Sequence, residues 1–170
     1  IRNCRQAFNF GPSFSLIPAD KASIPLCKLV DYADKTLAEC SMGLFENKLG
    51  GRVAVGGYYP FTWISDYNKA LQLIKVFTYI SRNTLPAYID GYFRIKNTPF
   101  VKGDKICVTL FNPSPDTLFE IPVNILTVKN CAVSYNGNNK EILTASGNYE
   151  NYRRFTVPSI SPYKIVLIEL

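Results

Sequence analysis

The sequence predicts an α+β chain: a partial α/β layer with two helices over residues 1–88, then an antiparallel β-sandwich of about seven strands over 89–170. Three observations predict it. Two stretches of the first part space their apolar residues as helices do. A Gly-Gly pair between β-prone runs marks a hairpin. From Asp90 onward, short apolar runs alternate with turn residues and no helical period recurs.

The elements follow in order. Arg2 to Ile17 is short, Phe-rich and broken by Gly11-Pro12, which reads as strand and loop. Leu26, Leu29, Val30, Ala33 and Leu37 keep helical spacing behind Pro25, which predicts a helix over 25–38. The run Leu44 to Tyr59 predicts strands over 41–48 and 52–58, with Gly50-Gly51 as a two-residue primed turn. Ser65-Asp66 is an N-cap signal, and Ala70, Leu73, Ile74, Phe77 and Ile80 form the apolar stripe of a helix over 66–82. Asn83 closes it and Pro86 stops it.

In the second part the predicted strands are 92–96, 105–111, 119–126, 131–135, 140–144, 152–157 and 163–169. Gly103-Asp104, Asn112-Pro113-Ser114-Pro115, Asn136-Gly137 and Ser146-Gly147-Asn148 supply the turns. Ile106, Val108 and Leu110 share one face; so do Phe119, Ile121, Val123 and Ile125, opposite Glu120 and Asn124.

Composition excludes several functions. With 47% hydrophobic and 19% charged residues, the 170-residue chain is of the folded class. It has no histidine, which removes Ser–His and Cys–His catalysis and imidazole metal sites. No carboxylate or thiolate cluster has ligand spacing, so neither a metal nor a cofactor is predicted. No apolar run approaches the ~20 residues of a membrane-spanning helix, so no membrane partner is expected. Nineteen Lys+Arg against thirteen Asp+Glu give +6, spread evenly, with no basic run longer than Arg153-Arg154. A nucleic-acid partner is therefore not expected.

The cysteines at 4, 27, 40, 107 and 131 show no CxxC pair and read mainly as buried small hydrophobes, with a single bridge left open. Asn112-Pro113-Ser114 carries proline at the position that forbids glycosylation. The chain begins at Ile1 and its only methionine is Met42, which suggests a processed protein or a piece of a larger one. The compartment stays open between periplasm, cell exterior and cytoplasm.

Without histidine, carboxylates are the acid–base candidates. Glycoside hydrolysis needs two of them, ~5–5.5 Å apart in retaining enzymes and ~6.5–9.5 Å in inverting ones. Asp31 and Asp34 would share a face of the predicted first helix, and Glu46 would sit on a hairpin rim; solvated surface charge explains all three. Asp104 and Asp116 belong to turns. Ser161 and Lys164 match Ser-x-x-Lys, but on an extended segment where lysine cannot return over the serine. Gly50-Gly51 and Gly56-Gly57 make no phosphate loop. No catalytic residue is assigned. Tyr58, Tyr59, Phe61 and Trp63, gathered after a strand, read either as a sugar platform or as interdomain packing.

Two passages resemble a known family. Phe45-Glu46-Asn47-Lys48-Leu49-Gly50-Gly51-Arg52-Val53 resembles the Glu-Asn-x-x-Gly-Gly-Arg-Val strand found late in multidomain bacterial glycoside hydrolases of the β-galactosidase type, in an amidotransferase-like α/β domain behind the catalytic barrel. Val108 to Asp116, with Val157 to Tyr163 running into the last strand, resembles the small C-terminal β-sandwich of those enzymes. The resemblance implies a non-catalytic C-terminal region, an incomplete amidotransferase-like segment plus sandwich, that supports assembly or walls an active site. The implied partner is an N-terminal catalytic domain or a sister subunit, with oligosaccharide bound by exposed aromatics as the alternative. The family's catalytic acid lies in an Asn-Glu pair; here the order is reversed, Glu46-Asn47, and no catalytic residue carries over.

Overall fold

The computed structural model describes residues 12–19, 21–59, 67–91 and 93–170. Strands hold 52% of the described residues, against a single helix among them, so the protein is β-rich and sandwich-like. It divides into two compact units, Ile1–Arg82 and Asn83–Leu170.

The first unit is a three-stranded antiparallel sheet of β1 (Ile24–Val30), β2 (Thr36–Glu46) and β3 (Arg52–Gly56), in that order, with helix α1 (Tyr67–Ile80). This corrects the partial α/β layer with two helices: the expected helix over 25–38 is β1, a turn and the start of β2. The reason lies at Asp31. Its carboxylate accepts from the backbone N–H groups of Ala33 and Lys35, both at 2.9 Å, and Asp34 adopts φ 63°. This Asx-type turn reverses the chain, so Val30 pairs with Thr36. Local turn chemistry thus overrides an apolar spacing that also suited a helix.

The second hairpin forms, but not on a two-residue Gly-Gly turn. Glu46 pairs with Arg52, and the loop is held by Asn47, whose Oδ1 accepts from Leu49 N at 3.0 Å and Gly51 N at 2.8 Å. Gly50, at φ 82°, supplies the left-handed residue. Gly57 matters for another reason: Phe14 N donates to its carbonyl at 2.6 Å, and a Cβ at 57 would collide with the Phe14 carbonyl. The described part of Arg2–Ile17, residues 12–17, is irregular chain, not strand.

Helix α1 buries a different stripe from the one expected. Lys69, Gln72, Leu73 and Val76 are buried, while Phe77 is 41% exposed. The Ser65-Asp66 cap lies outside the described residues. Arg82 turns into the left-handed region at φ 56° and ends the helical path.

The second unit packs two antiparallel sheets. One runs β10 (Gly147–Tyr149), β11 (Tyr152–Ile160), β7 (Leu118–Leu126), β4 (Ala87–Ile89). The other runs β5 (Lys96–Lys102), β6 (Lys105–Phe111), β12 (Ile165–Glu169), β8 (Cys131–Asn136), β9 (Asn139–Thr144). Ile121, Val123, Ile125, Phe155 and Val157 from the first meet Val108, Leu110, Val166 and Ile168 from the second in one core. Nine strands replace the expected seven or so. The predicted strand 92–96 gives way to β5, since residues 93–95 are not strand, and β4 and β10 are too short to show a pattern.

Phe119 also departs from expectation. Glu120 sits at φ 50°, which breaks the alternation of β7; Leu118 joins the core and Phe119 is 64% exposed. Asn112 knots the unit together from a fully buried position. Its Nδ2 donates to the carbonyls of Asp116 (2.7 Å), Ile160 (3.0 Å) and Ser161 (3.3 Å), and its Oδ1 accepts from the Ser114 N–H (2.9 Å).

Candidate functional site

Glu46 and Arg52 face each other across the β2–β3 pair, and the guanidinium donates Nε to Oε2 at 2.7 Å. Arg82 reaches the other oxygen at 3.0 Å. Arg52 also donates to the Tyr79 carbonyl at 2.9 Å and lies 4.5 Å over the Tyr79 ring. The two guanidinium groups hold the Glu46 carboxyl below the ordinary carboxylate range, Arg52 most strongly. This carboxylate is a clamp between hairpin tip and helix end. Asp31 is likewise spent on its turn, and Asp34 follows it there.

The aromatic group after β3 is split. Tyr58 packs against the Met42–Leu44–Val76 cluster. Lys69 donates to its hydroxyl at 3.2 Å and sits 4.2 Å over its ring; the hydroxyl faces Gln72 Oε1 at 3.5 Å, and Gln72 Nε2 donates to Cys27 Sγ at 2.7 Å. Burial pushes the Tyr58 phenol and the Cys27 thiol up, so both stay protonated near neutrality. A protonated thiol is a poor nucleophile. Tyr59, by contrast, is 65% exposed. Phe61 and Trp63 lie outside the described residues. Nothing in the sequence flagged Lys69 and Gln72, because polar residues beside Leu73 read as solvent-facing.

In the second unit, β4, β7 and β11 bring Tyr88, Asn124 and Arg154 into one row. Arg154 pairs with Asp90 and donates Nε to Asn124 Oδ1 at 3.2 Å. The Tyr88 and Tyr152 rings meet edge to face at 5.1 Å. Burial, with the Asp90 charge beside it, pushes the Tyr88 phenol up to about 12.

The outer face of the five-stranded sheet is the largest unexpected feature. Strand register places Phe100, Cys107, Glu169, Val133 and Ile142 in one row, and Thr98, Thr109, Leu167, Tyr135 and Lys140 in the next; Lys96, Phe111 and Ile165 form a third. Phe100, Ile142 and Ile165 are 58%, 70% and 57% exposed. Phe100 and Ile142 lie on the edge strands, Glu169 stands between them on central β12, and Lys96, Lys102, Lys105 and Lys140 border the face. A signal existed in the sequence: Ile165-Val166-Leu167-Ile168 is apolar at every position, as strands covered on both faces are.

No protein-family model matches the sequence, and no curated protein matches it. Among solved structures, the chain is similar to alpha-L-fucosidase isoenzyme 2 from Paenibacillus thiaminolyticus at a TM-score of 0.50. The neighbour is a glycoside hydrolase. The two are 9% identical; the match covers 92% of this chain and 25% of that one. This chain thus spans about a quarter of the neighbour's length, and the likeness is one of fold.

Proposed function

We propose that this protein is a non-catalytic accessory region of a β-galactosidase-type, carbohydrate-active protein, and that the outer face of the β5-β6-β12-β8-β9 sheet docks on its catalytic part. The apolar face carries this reading. Exposed apolar patches commonly mark interaction surfaces, and here Phe100 and Ile142 stand open on the two edge strands, with Ile165 open at the start of the central one. Its lysine border fits a neighbouring surface rimmed with carboxylates better than a second copy, whose own lysines would oppose it. The fold likeness to a glycoside hydrolase and the resemblance at Phe45–Val53 support the carbohydrate-active association. Glu46, weighed above as an acid, is held between two arginines, and Asp90 pairs with Arg154, which favours a structural role for both.

The test has two arms. Nitrophenyl galactosides and fucosides should turn over at buffer level with the purified chain; turnover abolished by Glu46→Gln or Asp90→Asn would overturn the non-catalytic reading. Phe100→Glu with Ile142→Lys should leave the isolated chain's melting unchanged yet weaken its retention by a catalytic domain of this class. Unchanged retention would overturn docking through this face. A dimer of the isolated chain that Ile142→Lys dissolves would put a sister subunit there instead.

A further inference from the structure

A second surface of the sandwich unit has the makings of a ligand site. Between the β7–β8 turn and the β10–β11 turn lies an open groove of about 410 Å³, lined by Leu126, Thr127, Val128, Glu150, Asn151 and Arg153. From this groove we infer a binding site for a neutral sugar, in which Glu150, Asn151 and Arg153 grip adjacent hydroxyls.

The argument begins with the residue types. A sugar ring offers vicinal hydroxyls, each donor and acceptor, together with apolar C–H faces. Carboxylate, amide and guanidinium groups match paired hydroxyls with paired acceptors or donors. The groove supplies one of each, with apolar lining from Leu126 and the 85%-exposed Val128. Tyr149, 43% exposed, stands at the start of the same turn. Glu150 and Arg153 balance in charge, which favours a neutral ligand over an acidic one.

The polar groups are oriented by neighbours. Arg153 donates Nε to Asn130 Oδ1 at 3.1 Å, which aims its remaining N–H groups. Asn83 Nδ2 donates to Glu150 Oε2 at 3.3 Å, steadying one carboxylate oxygen. Thr127 Oγ1 accepts from Lys129 N at 3.1 Å and shapes the opposite wall. The turn itself is unusual: Tyr149 pairs with Tyr152, and Glu150 occupies φ 52°, where glycine or asparagine is the ordinary choice. Glutamate at this position gives up turn stability and sets a carboxylate at the groove's edge. An open groove of this kind leaves much of a ligand in water and should bind weakly.

The site rests on the carbohydrate-active reading above, and its test separates the two. Amide shifts of the full chain are followed by NMR during titration with galactose, fucose, glucose and their short oligosaccharides. The expected result is saturable shifts confined to 126–130 and 149–153. Glu150→Gly should weaken them at least tenfold while keeping the fold, since glycine suits the positive φ. Shifts near Tyr58 and Tyr59 with a silent groove would overturn this site and leave the carbohydrate-active reading standing. Silence throughout would overturn the site, while the docking experiment judges the accessory reading separately. Stronger shifts with galacturonate than with galactose would overturn the neutral class.

Discussion

The side-chain amide of Asn112 donates to the main-chain carbonyl of Ile160 at 3.0 Å, joining the end of β6 to the end of β11. Two more carbonyls share that amide, and the Asn112 backbone exchanges bonds with Tyr163 and Lys164. The Asn-Pro-Ser-Pro-Asp passage that resembles a glycosidase sandwich is therefore a structural knot.

Asn112→Asp keeps the shape but replaces the NH₂ donor by an oxygen facing three carbonyls. The sandwich unit should lose at least about 3 kcal/mol in denaturant unfolding, since buried groups would be left unpaired and a charge buried. Asn112→Ala should cost about 1–3 kcal/mol.

Glu46 couples stability to acid pH. Its folded pKa lies below the ordinary 4.5, so its contribution is complete above that value and fades as pH falls through the folded one. Glu46→Gln should slightly lower the melting temperature of the first unit at neutral pH. The gap between variant and parent should close as the pH is taken well below 4.5.

Tyr88 couples stability to alkaline pH. Its phenol is raised from 10.0 to about 12, so the folded state prefers it protonated, and that stability is lost as pH rises from 10 toward 12. Tyr88→Phe should remove about 1 kcal/mol of this alkaline loss, the half-exposed ring being partly screened. Unfolding free energies across that window check it.

Thiol labelling should report burial. Cys131 is exposed, Cys40 is buried, and burial pushes the Cys27 and Cys107 thiols up. Among these four, Cys131 should react first, with Cys40 silent until denaturant is added. The four are free thiols, and Cys4 lies outside the described residues.

Much of this protein was legible in its residues wherever one local rule spoke alone. The existence of the Phe45–Val55 hairpin and of helix α1, and the alternation of Ile106, Val108 and Leu110, follow from local pattern, though the hairpin's turn and the helix's buried stripe do not. Where two local rules competed, the sequence did not choose. Leu26 to Leu37 suited a helix by spacing and a hairpin through Asp31, and pairing of β1 with β2 decided for the hairpin. The site-level features belong to tertiary structure alone. Lys69 and Gln72 are buried because Tyr58 and Cys27 receive them, and Glu150 and Arg153 of one hairpin share a groove with Leu126, Thr127 and Val128 only because β11 pairs with β7. Periodicity along a chain reports which side of an element is apolar. What stands opposite that side is set by packing between segments far apart in sequence, and that the folded chain alone supplies.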